Sequence, residues 1–385
     1  MRNLVQLPFT HQLDAHLKAK THLIQVIIGP RQVGKTTTLL HYLETNHPGR
    51  YHYVSADQVF HTSADWLLEQ WQLATQAKRM LVIDEIQKCE NWSEVIKALW
   101  DQAQRERKKT TCILAGSSSL QIQNGLTESL TGRFQLIRAH HWNARESAEG
   151  YALTFEDYLQ FGGYPGAYPF IRHPKQWRDY VKNSIIGTVV EKDILQYQTV
   201  RSPALFRQAF EILIAYPAQE ISYTKLLGQL QDRGNTDLIR HYIALFEGAY
   251  LLKALEKFSD KAIKRKSSSP KILPLAPCLY QLSVAGAYDP DERGHAFELA
   301  VGAQLVRTGE ELFYWREGNA EVDFVLKAGK QIYAIEVKSG RRKRGAGMVQ
   351  FLEKFKRAKP VYITPENYLQ FENDPLGYLE LHHRS

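Results

Sequence analysis

The sequence predicts an α/β fold, and three stretches carry that prediction. Ile24-Gln25-Val26-Ile27-Ile28 is a short apolar run of the kind that forms a strand buried on both faces. It passes without a gap into Gly29-Pro30-Arg31-Gln32-Val33-Gly34-Lys35-Thr36, and then into Thr37-Thr38-Leu39-Leu40-His41-Tyr42-Leu43, an amphipathic helix. A second apolar run, Met80-Leu81-Val82-Ile83, ends in Asp84-Glu85. A third, Thr111-Cys112-Ile113-Leu114-Ala115, runs into Gly116-Ser117-Ser118-Ser119. Sheets of this type hold their ligands at the carboxyl ends of the strands, where the first loop, the acidic pair and the serines all fall.

The first loop has the form G-x-x-x-x-G-K-T between a strand and a helix, which is a phosphate cradle. The cradle is expected to comprise Gly29, Pro30, Arg31, Gln32, Val33, Gly34, Lys35, Thr36 and Thr37. Lys35 is expected to reach the β- and γ-phosphates of a nucleoside triphosphate, and the Thr36 hydroxyl to ligate Mg²⁺. Asp84 is expected to hold the same Mg²⁺ through water, and Glu85 to orient or deprotonate the attacking water. Ser117 is the residue chosen to touch the γ-phosphate from the neighbouring strand; the alternative is a serine turn capping the next helix. Arg133, in Ser129-Leu130-Thr131-Gly132-Arg133-Phe134, reads either as an arginine finger for a neighbouring subunit or as a salt bridge within its own domain.

Composition narrows the class. A chain of 385 residues suggests two or three domains, and 44% hydrophobic with 23% charged residues is ordinary for a water-soluble protein. No run approaches the roughly eighteen apolar residues needed to span a membrane, so no membrane partner is expected. The opening Met1-Arg2-Asn3-Leu4-Val5-Gln6-Leu7-Pro8 has no apolar core of a secretory signal. Cys89, Cys112 and Cys278 are distant and odd in number, which argues against a disulfide framework and for a reducing cytoplasm. The fourteen histidines show no ligand spacing, and no structural metal is assigned. The net charge of +8 is uneven: residues 253–271 carry +5 and residues 341–360 carry +7, leaving −4 for the rest. That asymmetry fits a polyanion such as nucleic acid, or simply a solvated basic surface.

Several strings identify a resemblance. Leu81-Val82-Ile83-Asp84-Glu85-Ile86-Gln87-Lys88, Asn91-Trp92-Ser93-Glu94-Val95-Ile96-Lys97, Ala115-Gly116-Ser117-Ser118-Ser119 and Leu130-Thr131-Gly132-Arg133 are similar to a prokaryotic AAA-type (AAA+) P-loop ATPase family. Phe161-Gly162-Gly163-Tyr164-Pro165 and Glu191-Lys192-Asp193-Ile194 extend the likeness. Ala139-His140-His141-Trp142 departs from it, since relatives are more apolar there. The resemblance implies an AAA+ core over 1–145, a helical lid over 146–200, activity as a homo-oligomer, taken as a hexamer, and a C-terminal domain formerly of unknown function.

Residues 201–283 read as a winged helix-turn-helix. A short helix, Tyr223-Thr224-Lys225-Leu226-Leu227-Gly228-Gln229-Leu230, breaks at Asp232-Arg233-Gly234-Asn235. Thr236 is expected to cap a second helix with Leu238, Ile239, Tyr242, Leu245, Phe246, Ala249 and Tyr250 on its apolar face. Arg240 and His241 fall on its polar side, and the basic stretch 257–270 reads as a hairpin or wing. The module contacts DNA or serves as packing between its neighbours.

Residues 284–385 read as a further α/β domain. A helix is expected from Gly294, strands at Phe313-Tyr314-Trp315-Arg316 and Ile332-Tyr333-Ala334-Ile335-Glu336-Val337-Lys338, and an alternating strand at Glu321-Val322-Asp323-Phe324-Val325-Leu326. Glu298, Asp323 and Glu336-x-Lys338 resemble, in order and spacing, the PD-(D/E)xK nucleases of restriction-endonuclease-like fold. That resemblance puts Mg²⁺ on Asp323 and Glu336, uses Lys338 to position water, and brings Glu298 and Gln350 in from helices. The fold also has members without catalysis, and acid–Val–Lys alternation is common on half-exposed strands. Arg341-Arg342-Lys343-Arg344 follows directly, as phosphate contacts or a solvated loop. The whole reads as an ATP-hydrolysing protein that translocates or remodels DNA, duplex or branched. An ATP-gated nuclease in mobile-element defence and a nucleotide-switched regulator with an inactive nuclease fold are the alternatives.

Overall fold

The apolar runs become a fully parallel sheet of five strands: β1 (Ile24–Ile28), β2 (Tyr51–Ser55), β3 (Met80–Asp84), β4 (Cys112–Ala115) and β5 (Phe134–Arg138). Their spatial order is β2-β3-β4-β1-β5. In the computed structural model every residue of β1 and β4 is buried, as strands covered on both faces must be. The model describes residues 5–19, 21–58, 62–108, 110–117, 119–196, 200, 202–230, 235–259, 268–339 and 345–382. Ser118, the turn residues Asp232, Arg233 and Gly234, residues 260–267 of the basic stretch and the run Arg341-Arg342-Lys343-Arg344 lie outside the described residues.

Five helices belong with this sheet: α1 (Phe9–Ala19), α2 (Lys35–Asn46), α3 (Ala64–Gln76), α4 (Trp92–Arg105) and α5 (Ser119–Ser129). α4 buries Trp92, Ile96, Leu99 and Ala103, one stripe of a 3.6-residue period. The chain divides into two compact units, Met1–His141 with Asn183–Thr199, and Trp142–Lys182 with Val200–Ser385. The stretch read as a lid is therefore shared: 146–182 lies in the second unit and 183–199 in the first. Val189–Leu195, in the first unit, winds as a π-helix.

The second unit opens with α6 (Ala144–Tyr151) and α7 (Phe155–Phe161), each started by a reciprocal cap, Asn143 with Glu146 and Thr154 with Asp157. α8 (Pro174–Asp179) follows. Then come α9 (Pro203–Ile214), β6 (Gln219–Glu220), α10 (Tyr223–Gln229), α11 (Thr236–Gly248), β7 (Leu252–Lys257) and β8 (Lys271–Pro274). The cap of α11 is Asn235, not Thr236: the Asn235 side chain accepts from the Leu238 N–H at 3.0 Å, and Thr236 is already inside the helix.

After α12 (Pro277–Gln281) comes α13 (Pro290–Arg307), then β9 (Glu311–Glu317), β10 (Ala320–Ala328), β11 (Gln331–Val337), α14 (Ala346–Lys354), β12 (Lys359–Ile363), α15 (Tyr368–Asn373) and α16 (Pro375–Leu381). α13 begins four residues before the expected Gly294, because Asp289 and Glu292 form a capping box around Pro290. One seven-stranded sheet, β12-β11-β10-β9-β7-β8-β6, runs through the whole unit, with β7 and β9 joined in parallel. The expected alternation of β10 fails after Asp323, where Phe324, Val325 and Leu326 are all buried. A shift of register against β9 between Val322 and Val325 is the reason.

Candidate functional site

Glycine is required twice in the loop after β1. A Cβ on Gly29 would fall 2.4 Å from the Ala139 carbonyl oxygen, and Gly34 sits at φ 85°, in the left-handed region, as α2 starts. Lys35 is the first residue of α2 and is buried, its ammonium donating to the carbonyls of Gly29 at 3.1 Å and Pro30 at 2.6 Å. Burial lowers its pKa to about 8, against the opposing pull of Glu85 and Asp84. The Thr36 hydroxyl donates to Asp84 at 2.6 Å, and the Tyr53 hydroxyl reaches the same oxygen at 3.2 Å. Hydroxyl and carboxylate oxygens converging beside a buried lysine are the hard donor set that suits Mg²⁺ with a polyphosphate. The residues fit both groups.

Glu85 follows β3 in a left-handed conformation, φ 52°, which is strained for a residue with a Cβ. Its carboxylate accepts from the Ser117 hydroxyl at 2.9 Å and from the Gln87 amide. Ser117 is thus brought to Glu85. A Cβ on Gly116 would lie 2.1 Å from Gln87 Oε1, so the glycine makes room for that glutamine. Arg133 grips Asp101 with Nε at 2.8 Å and Nη2 at 3.1 Å, and its guanidinium lies 5.7 Å from the centre of the Trp100 ring.

Arg31 contributes more than backbone. It forms a two-pronged ion pair with Asp193, both contacts 2.5 Å, from the π-helical segment. The only sequence signal for Asp193 was its place in the string Glu191–Ile194.

In the second unit Glu298, Glu321, Asp323 and Glu336 gather around β10 and β11, and the centre is occupied by Lys271 of β8. Its ammonium, 1% exposed, lies 2.7 Å from Glu298, 3.2 Å from Glu321 and 3.2 Å from the Asp323 carbonyl oxygen. Burial alone would lower its pKa, but the carboxylates of Glu298, Asp323 and Glu321 outweigh it and hold the charge. Burial pushes Glu298 up to about 7, and also raises Asp323 and Glu336. Lys338 pairs with Glu336 at 2.5 Å, and an Asp323 oxygen accepts from the Val337 N–H at 2.7 Å. Gln350 lies on the exposed side of α14. Two ammonium groups, Lys271 and Lys338, are paired among these four carboxylates. Among the described residues no group of three or more His, Cys, Asp or Glu side chains is arranged to hold a metal ion. The Lys271 ammonium bridges Glu298 and Glu321. The sequence pointed to Glu298, Asp323, Glu336 and Lys338; it did not point to Glu321, read only as part of a strand, or to Lys271, which sits in no motif.

Residues 21–148 match the family model described as an AAA domain. Residues 152–281 and 293–378 match two domains of unknown function, DUF8612 and DUF4143. An uncharacterized protein of Methanocaldococcus jannaschii is 25% identical over 341 residues, covering 81% of this chain and 74% of its own. An uncharacterized protein of Haemophilus influenzae is 21% identical over 383 residues, 92% of either chain. Among solved structures, a Walker-type ATPase of Pyrococcus abyssi matches with a TM-score of 0.50 at 15% identity, over 71% of this chain and 94% of that one. With the parallel sheet and the phosphate loop, these matches identify residues 21–148 as an AAA-type P-loop ATPase domain.

Proposed function

We propose that the protein hydrolyses ATP and couples hydrolysis to the translocation or remodelling of DNA, including branched DNA, as a homo-oligomer, taken as a hexamer. The observation that carries the ATPase part is the convergence of Lys35, Thr36, Asp84 and Glu85 at the carboxyl ends of β1 and β3. Bound Mg²⁺ would offset the charge of the phosphates. Thr36 and Asp84 hold the ion, Lys35 leaves the carbonyls of Gly29 and Pro30 for phosphate oxygens, and the backbone of 29–37 wraps them. Glu85 orients the attacking water, with Ser117 and Gln87 fixing its carboxylate. Arg133 acts as a finger in a neighbouring subunit only by giving up Asp101.

The DNA part rests on element order and charge. Helix, short strand, two helices and a hairpin, α9 to β8, is the order of a winged helix, and Arg240 and His241 are exposed on α11. A helix followed by three antiparallel-paired strands, a helix and a parallel strand, α13 to β12, supports a nuclease-like fold with Glu298, Asp323, Glu336 and Lys338 on its central elements. Lys271 favours one second reading over the cleaving alternative: a C-terminal domain that binds without cutting, as in a nucleotide-switched regulator.

ATP turnover and cleavage on linear, single-stranded and branched DNA, with Mg²⁺ or Mn²⁺, test the proposal. DNA is expected to accelerate turnover by wild type and not by Lys35→Ala. Turnover indifferent to every DNA would sink the DNA part, and cutting abolished by Asp323→Ala would restore the nuclease alternative.

A further inference from the structure

Arg31 is the third residue of the eight-residue phosphate loop, and its guanidinium is committed to a partner 162 positions away. The pair is asymmetric: the Arg31 side chain is 25% exposed, that of Asp193 only 5%. Arg31, Asp193, Asp84 and Glu85 all perturb the charge on Lys35, so all lie in the electrostatic field of the lysine that meets the phosphates. Asp193 sits in a π-helix, a conformation that is rare and frequent at functional sites. An arginine fork suits a phosphate as well as a carboxylate, and a terminal phosphate offers more negative charge.

We propose that Arg31 is an in-chain arginine for the γ-phosphate and that Asp193 is its positioning residue, surrendering the guanidinium when a nucleoside triphosphate occupies the loop. A diphosphate has no group to compete for it, so the pair persists with ADP. A buried carboxylate left without its partner is costly, which biases the segment 183–196 toward a new position in the triphosphate state alone. That segment lies in the chain between residues 142–182 before it and 200–385 after it. This rests on the ATPase reading above and adds the group that distinguishes ATP from ADP.

The test uses the full chain, with affinities for ADP and for a non-hydrolysable ATP analogue measured beside turnover. For Arg31→Ala the expected result is a kcat reduced by about 10³-fold, as for other in-site arginines, with the preference for triphosphate over diphosphate lost. Arg31→Lys keeps the charge without the fork and recovers only part of kcat. Asp193→Asn removes the competitor: triphosphate binds severalfold tighter and ADP affinity stays the same. The charge exchange Arg31→Asp with Asp193→Arg restores thermal stability but not turnover. If the exchange restores both, or if Arg31→Ala keeps kcat within about twofold of wild type and keeps its nucleotide preference, the pair is a structural strut and the proposal is wrong. Lys35→Ala judges the parent reading separately. A wild type without turnover would end that reading, while the two affinities would still decide the role of Arg31.

Discussion

A lysine ammonium removed from water keeps its proton only as firmly as its neighbours allow, and Lys35 is such a group. Two backbone carbonyls and the nearby Asp84 and Glu85 do not make up for lost hydration, so its pKa falls to about 8. A polyphosphate beside it favours the charged form and raises that value again. ATP binding above pH 8 should therefore take up a proton, and affinity should fall as pH rises, by at most tenfold per unit, since one proton is linked. Calorimetric titration at pH 8.5 in two buffers of different ionisation heat counts the protons; no uptake would contradict this account. Glu298 has the opposite bias. Its carboxyl is pushed up to about 7 by burial, from an ordinary 4.5. A raised carboxyl pKa stabilises the fold fully below the unfolded value and loses that contribution as pH rises through the folded one. Between pH 4.5 and 7 the wild type should lose stability relative to Glu298→Gln, by no more than about 1.4 kcal/mol per pH unit. Melting temperatures of both proteins at pH 5 and pH 7 give the comparison, and parallel curves would refute it.

Elements are set by contacts of this kind made many at a time. α14 lies so close to β10 that a Cβ on Gly347 would stand 1.9 Å from the Glu321 carbonyl oxygen. Backbone cannot give way as a side chain can, so Gly347→Ala should cost about 3 kcal/mol or more in chemical denaturation. Gly228, inside α10 with nothing within 4 Å of the same probe, should behave oppositely, and Gly228→Ala should stabilise by about 0.5–1 kcal/mol. The contrast also shows what a sequence discloses. The loop at 29–36 and the pair Asp84-Glu85 were legible because strand, turn and helix signals are local and fall in one order. The helices at 223–229 and 236–248 were legible, the second through its apolar period, though its cap moved from Thr236 to Asn235, one position earlier; the helix at 203–214 was not read. Asp193 and Lys271 were not legible. Their meaning comes from partners 162 residues off in one case and 27, 50 and 52 in the other, and no local period records such pairings. The bulge that turns β10 at Asp323 is likewise a property of how β9 pairs with it.

At the scale of the whole chain the distinguishing property is charge placement: a body at −4 with two segments at +5 and +7. If those segments meet DNA, binding must release counterions, and affinity must fall linearly on a double-logarithmic plot against salt, with a slope near −0.9 per phosphate neutralised on duplex DNA. Lys35→Ala should leave that slope alone, because Lys35 is buried against the Gly29 and Pro30 carbonyls. Replacing Arg341, Arg342, Lys343 and Arg344 with glutamine should flatten the slope by up to about 3.6 units, roughly 0.9 for each cation, and weaken linear and branched DNA alike. A change confined to branched DNA would instead mean that these four residues recognise shape. Fluorescence anisotropy across a salt series measures both quantities. An unchanged slope would place the DNA-binding cations elsewhere, with the lysines and arginine of residues 253–266 and the exposed Arg240 of α11 the next to replace.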